Sequence, residues 1–77
     1  MLKRTRVTNA IRALRFARGE MTQAELAERI GVTRQTVIAI EQGRYSPSLE
    51  MAFQIARVFE APLDEVFQYA DDEAGKS

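Results

Sequence analysis

The fold is decided by residues 22–43, which read TQAELAERIGVTRQTVIAIEQG. Thr22 and Glu25 have the spacing of a capping box, in which each side chain accepts a hydrogen bond from the backbone N–H of the other residue. A helix is therefore predicted to begin at Gln23. The apolar residues that follow recur at helical spacing: Ala24, Leu26, Ala27 and Ile30. The first half of the stretch is thus predicted to be a short amphipathic helix.

A second short helix is predicted after a turn that begins at Gly31 and ends at Thr33. Glycine adopts the left-handed conformation that ends a helix at little cost, and threonine is a favourable N-cap. The second helix is predicted over residues 34–41, or one residue further, and Gly43 ends it. Because the turn is too short to be a flexible linker, the two helices are expected to keep a fixed relation.

One face of the second helix carries the chemistry of base recognition. At about 100° per residue, Val37 and Ile40 lie on one side of this helix. Arg34, Gln35 and Ile38 lie on the other side. In a major groove, arginine can bind guanine, glutamine can bind adenine, and an apolar side chain can contact the thymine methyl group. The three residues are therefore candidates for reading bases, although the pattern equally fits two solvated residues beside an apolar protein contact.

A longer run carries a resemblance to a known family: TQAELAERIGVTRQTVIAIEQGRYSPSLEMAFQIARVFEAPLDEVF. It resembles the helix-turn-helix of the Cro and CI-type repressors, the xenobiotic-response-element (XRE) family. With the helix that precedes it, the resemblance covers about four-fifths of the chain. Within the family, the chain is most similar to short stand-alone regulators such as the cytolysin repressor. The resemblance implies an all-α, five-helix, lambda-repressor-like domain that binds double-stranded DNA.

The resemblance also implies contacts with the DNA backbone. Gln23, at the start of the first helix of the pair, is expected to contact a phosphate. Thr33, Thr36 and Arg44 are expected to contact phosphates as well, so that the loss of any of these contacts weakens binding to all sequences similarly. Tyr45 could reach a phosphate through its hydroxyl group or serve as a packed anchor of the loop.

The composition excludes several classes of protein. Cysteine and histidine are both absent, which excludes disulfides and removes the usual zinc sites and the common nucleophile and base pairs. No enzyme activity, cofactor or small-molecule ligand is therefore expected. The sequence has no apolar run long enough to cross a membrane and no signal peptide, so a cytoplasmic protein is expected. Because a chain of 77 residues has a marginal core, oligomerisation is the remaining means of stabilising it.

The charges are segregated along the chain although the net charge is zero. Residues 1–44 carry nine basic and four acidic side chains, a balance of +5. Residues 45–77 carry two basic and seven acidic side chains, a balance of −5. One half can therefore attract phosphate while the other faces away from it, and attraction between the halves within the fold is also compatible with the pattern.

The helix before the pair is predicted from residue 8 or 9 to residue 18. Its inner side is expected to hold apolar residues: Ile11, Leu14 and either Phe16 or Ala17. The family resemblance implies that Arg15 forms an ion pair with Glu41 at the far end of the base-reading helix. This pair would be structural, because it would tie the first helix to the reading helix.

Two more helices are predicted after the loop RYSPS, over residues 48–59 and 63–67. The first of them has large apolar residues on more than one face, which favours a second subunit as its cover. The candidates for the dimer contact are Val58, Val66 and Phe67.

The two termini are predicted to pair with each other. Residues 2–7 carry three cations, and residues 67–72 carry Asp71 and Asp72. Opposite charges attract across adjacent antiparallel strands, so a small β-ribbon is expected on the side away from the reading helix. Two alternatives remain: a flexible basic arm that reaches the DNA minor groove, and a frayed tail. Residues 73–77 are expected to be disordered.

The sequence thus predicts one domain, residues 1–77, that acts as a homodimeric, sequence-specific transcription regulator. A two-fold dimer is expected to read an inverted-repeat operator. Repression by occlusion of a promoter is favoured, since no part of the sequence is available to recruit polymerase or bind a ligand. The alternative is a DNA-binding antitoxin or adaptor module whose main partner is another protein.

Overall fold

The computed structural model describes residues 5–70 as five helices and a two-stranded antiparallel sheet. The elements follow in the order β1 (Val7–Asn9), α1 (Ile11–Ala17), α2 (Gln23–Ile30), α3 (Arg34–Glu41), α4 (Leu49–Phe59), α5 (Leu63–Val66) and β2 (Phe67–Tyr69). The predicted five-helix fold class with a small ribbon is confirmed. None of the helices in this part of the chain has the length and apolar character needed to cross a membrane.

The caps of α2 and α3 form as the sequence predicts. The Thr22 hydroxyl accepts from the Glu25 backbone N–H at 3.0 Å, and the Thr22 N–H donates to the Glu25 carboxylate at 2.8 Å. Gly31 ends α2 in the left-handed conformation, with φ of 76°. Thr33 then caps α3 by accepting from the Thr36 N–H at 3.3 Å. Because both helix starts and the turn between them are fixed locally, α3 has a defined direction relative to α2.

The core joins every helix. Its buried residues come from α1 to α5 and from the loop before α2: Ile11, Met21, Leu26, Ala27, Ile30, Val37, Ile40, Ile55, Ala56, Phe59 and Val66. Phe59 is the largest fully buried side chain, and α4 packs against both α2 and α5. Val66 is completely buried in this core, so it cannot be the dimer contact that the sequence suggested.

Helix α1 differs from the prediction in its start and in its buried face. It begins at Ile11, because Thr8 and Asn9 belong to β1. The Asn9 side chain accepts from the Ile11 N–H at 3.1 Å and so takes the place of a cap at the helix start. Phe16 and Ala17, expected on the inner side, are exposed, and Arg15 is buried instead.

The ribbon is present, and in the described part of the chain its first strand overlaps the predicted residues 2–7 only at Val7. Val7 pairs with Tyr69, and Asn9 pairs with Phe67. Phe67 is therefore a strand residue, and α5 ends one residue earlier than predicted. The Asn9 amide donates to the Ile40 carbonyl at 2.9 Å, so the ribbon contacts the end of α3 and does not lie on the side away from it.

The charges that motivated the ribbon, together with the expected disordered end at 73–77, lie in large part outside the described residues. Asp71 and Asp72 fall there, as do Lys3 and Arg4. Backbone pairing contributes to the described ribbon, including a 2.7 Å bond from the Ala70 N–H to the Arg6 carbonyl, and the Thr8 hydroxyl donates to the Gln68 carbonyl at 3.3 Å.

Candidate nucleic-acid interface

Helix α3 presents a polar face to solvent because its other face is fixed in the core. Val37 and Ile40 are almost completely buried. On the opposite side, Arg34 and Gln35 are exposed, and Ile38 is partly buried. The structure thus brings the three candidate base-reading residues to one accessible face of one helix. Ile38 is the one residue of the three that is partly buried.

A buried ion pair fixes the C-terminal end of α3. The Arg15 Nε lies 2.7 Å from one Glu41 carboxylate oxygen, and its Nη2 lies 3.2 Å from the other. The third nitrogen, Nη1, donates to the Met21 carbonyl at 2.8 Å. The side chains of this pair are only 9% and 10% exposed. The predicted pair is therefore confirmed, and the two-point contact fixes the orientation of both groups.

Gln23 is attached to the same pair. Its side-chain amide donates to a Glu41 carboxylate oxygen at 3.2 Å. An amide nitrogen carries two hydrogens, so this bond leaves the second hydrogen for another acceptor, such as a phosphate oxygen. Because the positive charge of Arg15 neutralises the negative charge of Glu41, the Glu41 carboxylate would repel an anion near Gln23 only weakly.

A groove of about 710 Å³ lies along this side of α3, between it, α1 and the start of α2. Arg12 and Arg34 line it from α1 and α3, and Gln23 lines it from α2. The Arg12 guanidinium lies 5.6 Å from the centre of the Phe16 ring, which restrains the long arginine side chain. Arg12 is not among the residues predicted from the sequence, where only the positive balance of residues 1–44 indicated a basic side of the molecule.

A smaller hollow of about 200 Å³ lies on the other side of α3. It is lined by Gln35, Thr36, Ala39 and Tyr45. The Thr36 hydroxyl lies 3.1 Å from the Thr33 hydroxyl, so the two predicted phosphate-contacting threonines are adjacent. The exposed face of α3 is thus bordered by a groove that contains arginines on one side and by uncharged hydroxyl groups on the other.

Arg44 lies beyond the end of α3. Its Nε donates to the side-chain oxygen of Gln42 at 2.8 Å, and the residue is exposed. Arg44 therefore does not line the groove that Arg12 and Arg34 line. Its hydrogen-bond partner Gln42 does line that groove.

Comparison with known proteins identifies similar sequences over the helical part of the chain. The sequence profile of the family described as Helix-turn-helix matches residues 11–66. An uncharacterized HTH-type transcriptional regulator of Methanocaldococcus jannaschii is 53% identical over 53 residues, which cover 69% of this chain and 80% of that protein. The cryptic phage CTXphi transcriptional repressor RstR of Vibrio cholerae is 37% identical over 59 residues, which cover 77% of this chain and 52% of that protein.

A solved structure has the same fold. It is that of a candidate DNA-binding protein from Bacteroides fragilis, with a TM-score of 0.70 and 22% sequence identity. The match covers 80% of this chain and 98% of that one. Together, the paired caps, the exposed face of α3 and these relatives show that the chain belongs to the XRE-type helix-turn-helix family of DNA-binding transcriptional regulators.

Proposed function

We propose that the protein is a homodimeric repressor that inserts α3 into the DNA major groove and reads an inverted-repeat operator. The observation that carries the proposal is the exposed face of Arg34, Gln35 and Ile38 on a helix whose far end is held by the Arg15–Glu41 pair. A base-reading helix must be rigid, because each hydrogen bond to a base edge depends on a fixed position of the side chain.

The three residues of this face have separate roles in the proposal. Arg34 donates two hydrogen bonds to the O6 and N7 atoms of a guanine. Gln35 binds an adenine through its amide, and Ile38 contacts a thymine methyl group. Each good two-bond contact discriminates against the wrong base by about 1–3 kcal/mol. Arg34 and Gln35 are in the first turn of α3, where a helix that enters the groove end-on makes its base contacts.

The sugar-phosphate backbones occupy the two sides of α3. Gln23 donates its second amide hydrogen to a phosphate on the groove side, and Thr33 and Thr36 contact the opposite strand. Arg44 contacts a phosphate beyond the end of α3. To these four we add Arg12, which lines the groove with Arg34 and contributes a positive charge there. These contacts fix the register on DNA and carry no sequence information.

Dimerisation sets the form of the operator. Two identical reading helices related by a two-fold axis require two identical half-sites, whose centres lie about 34 Å, or one DNA turn, apart. A dimer of this kind would occlude a promoter in the cytoplasm without a further domain. The antitoxin or adaptor alternative would need an exposed apolar surface in addition to the one that the dimer uses.

Selection of bound sequences from a random duplex library tests the proposal. The expected product is an inverted repeat with a guanine at one position of each half-site. Enrichment of a single asymmetric site, or of no site, would overturn the proposal.

Individual phosphate contacts can be tested by the salt dependence of binding. Arg12→Ala should weaken binding to every duplex and reduce the slope of log K against log salt by about 0.9, the release of one counterion. Arg29→Ala is the matched control, since Arg29 is an exposed arginine of α2 that does not line the groove. An unchanged slope for Arg12→Ala would show that Arg12 does not contact a phosphate.

A further inference from the structure

The outer face of α4 combines large apolar side chains with opposite charges at its two ends. Leu49 is 67% exposed and Phe53 is 50% exposed, one helical turn apart. Glu50 lies at the start of this face and Arg57 near its end, and both are exposed. On a helical wheel, Glu50, Phe53 and Arg57 fall within about 60° of one another, with Leu49 at the edge of the stripe. An apolar centre between two opposite charges is typical of a protein contact and not of a solvated helix face.

The stripe is complementary to itself. Glu50 and Arg57 are seven residues, or about 10.5 Å, apart along the helix. When a second copy of α4 is laid antiparallel across a two-fold axis at the level of Phe53, each Glu50 faces the Arg57 of the other copy. A two-fold interface uses the same patch on both subunits, so the charge pair forms twice.

The surface beside Phe53 also has the shape for such a contact. A hollow of about 480 Å³ is lined by Phe53, Ala56, Arg57, Glu60, Ala61 and Leu63. In the antiparallel arrangement, the exposed Leu49 side chain of one copy points at this hollow in the other. Each copy thus supplies one projecting apolar side chain and one receiving hollow.

We infer that the Leu49–Phe53 stripe of α4 is the surface through which two copies of this chain associate, with reciprocal Glu50–Arg57 pairs across the two-fold axis. The inference rests on the proposed homodimer and specifies its contact. Of the contacts expected from sequence, Val66 lies inside the core and Phe67 is a partly buried strand residue. Val58 is partly buried against the core, about 140° around α4 from Phe53, and so lies outside this stripe. The partner that binds this surface is a second copy of the chain and not a different protein. When α4 is laid antiparallel to itself, each acidic residue of the stripe lies opposite a basic one.

The test uses charge reversal and sedimentation equilibrium without DNA. Glu50→Arg places two pairs of arginines face to face in a homodimer, and Arg57→Glu places two pairs of glutamates face to face. Each variant should raise the dimer dissociation constant by at least about tenfold, because like charges at an interface repel. Glu28→Arg, at an exposed position on α2, makes the same charge change elsewhere and should leave the constant unchanged.

Mixing the two variants is the sharpest step. A Glu50→Arg chain and an Arg57→Glu chain form two attractive pairs with each other, although each repels itself. The mixture should therefore form a heterodimer with close to the original affinity. Phe53→Ser is a charge-neutral second variant that should also yield monomer, and far-UV circular dichroism shows whether each variant is folded.

Three results would overturn the inference. If the original chain is a monomer at micromolar concentration, both this surface and the dimeric part of the proposed function are wrong, whereas base reading by α3 is unaffected. If the original chain is a dimer but the three α4 variants remain dimeric, only the surface is wrong. If the charge variants are monomeric and their mixture is monomeric too, the reciprocal pairing is wrong.

Discussion

Two arginines about one turn apart, Arg15 in α1 and Arg18 directly after it, form ion pairs of very different character. Arg15 is buried with Glu41, at 2.7 Å and with side chains 9% and 10% exposed. Arg18 reaches Glu60 at 3.4 Å, with side chains 40% and 77% exposed. The first pair joins α1 to α3, and the second joins the residue after α1 to the residue after α4. Burial makes the first pair indispensable once formed, because a lone charge left in the core cannot be solvated, whereas water readily replaces either partner of the second.

The buried pair should give the largest effect when only one partner is removed. Arg15→Met leaves the Glu41 carboxylate buried without its counter-charge, so the free energy of unfolding should fall by about 3–5 kcal/mol. Urea denaturation followed by circular dichroism measures the loss. A loss below about 1 kcal/mol would show that Glu41 is solvated in the folded state and that the pair resembles the surface pair.

Removing both partners should separate stability from DNA binding. The double variant Arg15→Met/Glu41→Leu replaces the pair with apolar side chains, so its stability should return to within about 1–2 kcal/mol of the original. Gln23 then lacks the carboxylate that holds its amide, so binding should weaken by a similar factor on all duplexes. Full recovery of DNA binding together with stability would mean that Gln23 does not need Glu41.

The exposed pair should give a smaller effect. Arg18 donates a close hydrogen bond to the Phe59 carbonyl as well as contacting Glu60. Arg18→Met should therefore cost about 1 kcal/mol of stability, most of it from the lost bond to the carbonyl. Glu60→Gln, which removes only the charge, should change stability by less than about 0.5 kcal/mol. If Glu60→Gln costs as much as Arg18→Met, the surface pair is stronger than its exposure suggests.

The replacement of Glu60 by glycine should have a small effect of the opposite sign. Glu60 ends α4 in the left-handed conformation, with φ of 55°, which is unfavourable for any residue with a Cβ atom. Glu60→Gly removes that strain but also gives the unfolded chain more freedom, so a net gain of about 0.5 kcal/mol is expected. Glu20→Gly, at φ of 61°, relieves the same strain without touching the Arg18 pair. A thermal midpoint that falls for Glu60→Gly but rises for Glu20→Gly would show that the exposed pair outweighs the strain.

The features that the sequence predicted well are those that depend on interactions between residues close together in the chain. Thr22, Thr33 and the glycine at 31 determine where α2 and α3 begin and where α2 ends, and each acts through hydrogen bonds or backbone conformation close to itself. The outer face of α3 follows from helical periodicity once those limits are known. The solvent-facing side of α3 could therefore be predicted before any tertiary contact was known.

The features that the sequence missed depend on partners far along the chain. Helical periodicity placed Phe16 or Ala17 on the inner side of α1, whereas both are exposed. Arg15 lies inward because Glu41, 26 residues away in sequence, is adjacent in space, and only the family resemblance indicated that pair. Likewise, Val7–Asn9 has no strong strand signal, and it is extended because β2 pairs with it and the Asn9 amide bonds to Ile40. The segregated charges suggested strand pairing at 2–7, whereas the described pairing starts later.

Measuring Arg34→Ala on two duplexes tests most directly the claim that α3 reads bases. The duplexes are the selected operator and a scrambled sequence of the same composition, at one fixed salt concentration. We expect a loss of about 1–3 kcal/mol on the operator beyond the loss on the scrambled duplex, with relaxed preference at one base pair in each half-site. An equal loss on both duplexes would contradict it, because Arg34 would then act only as a positive charge near the phosphates.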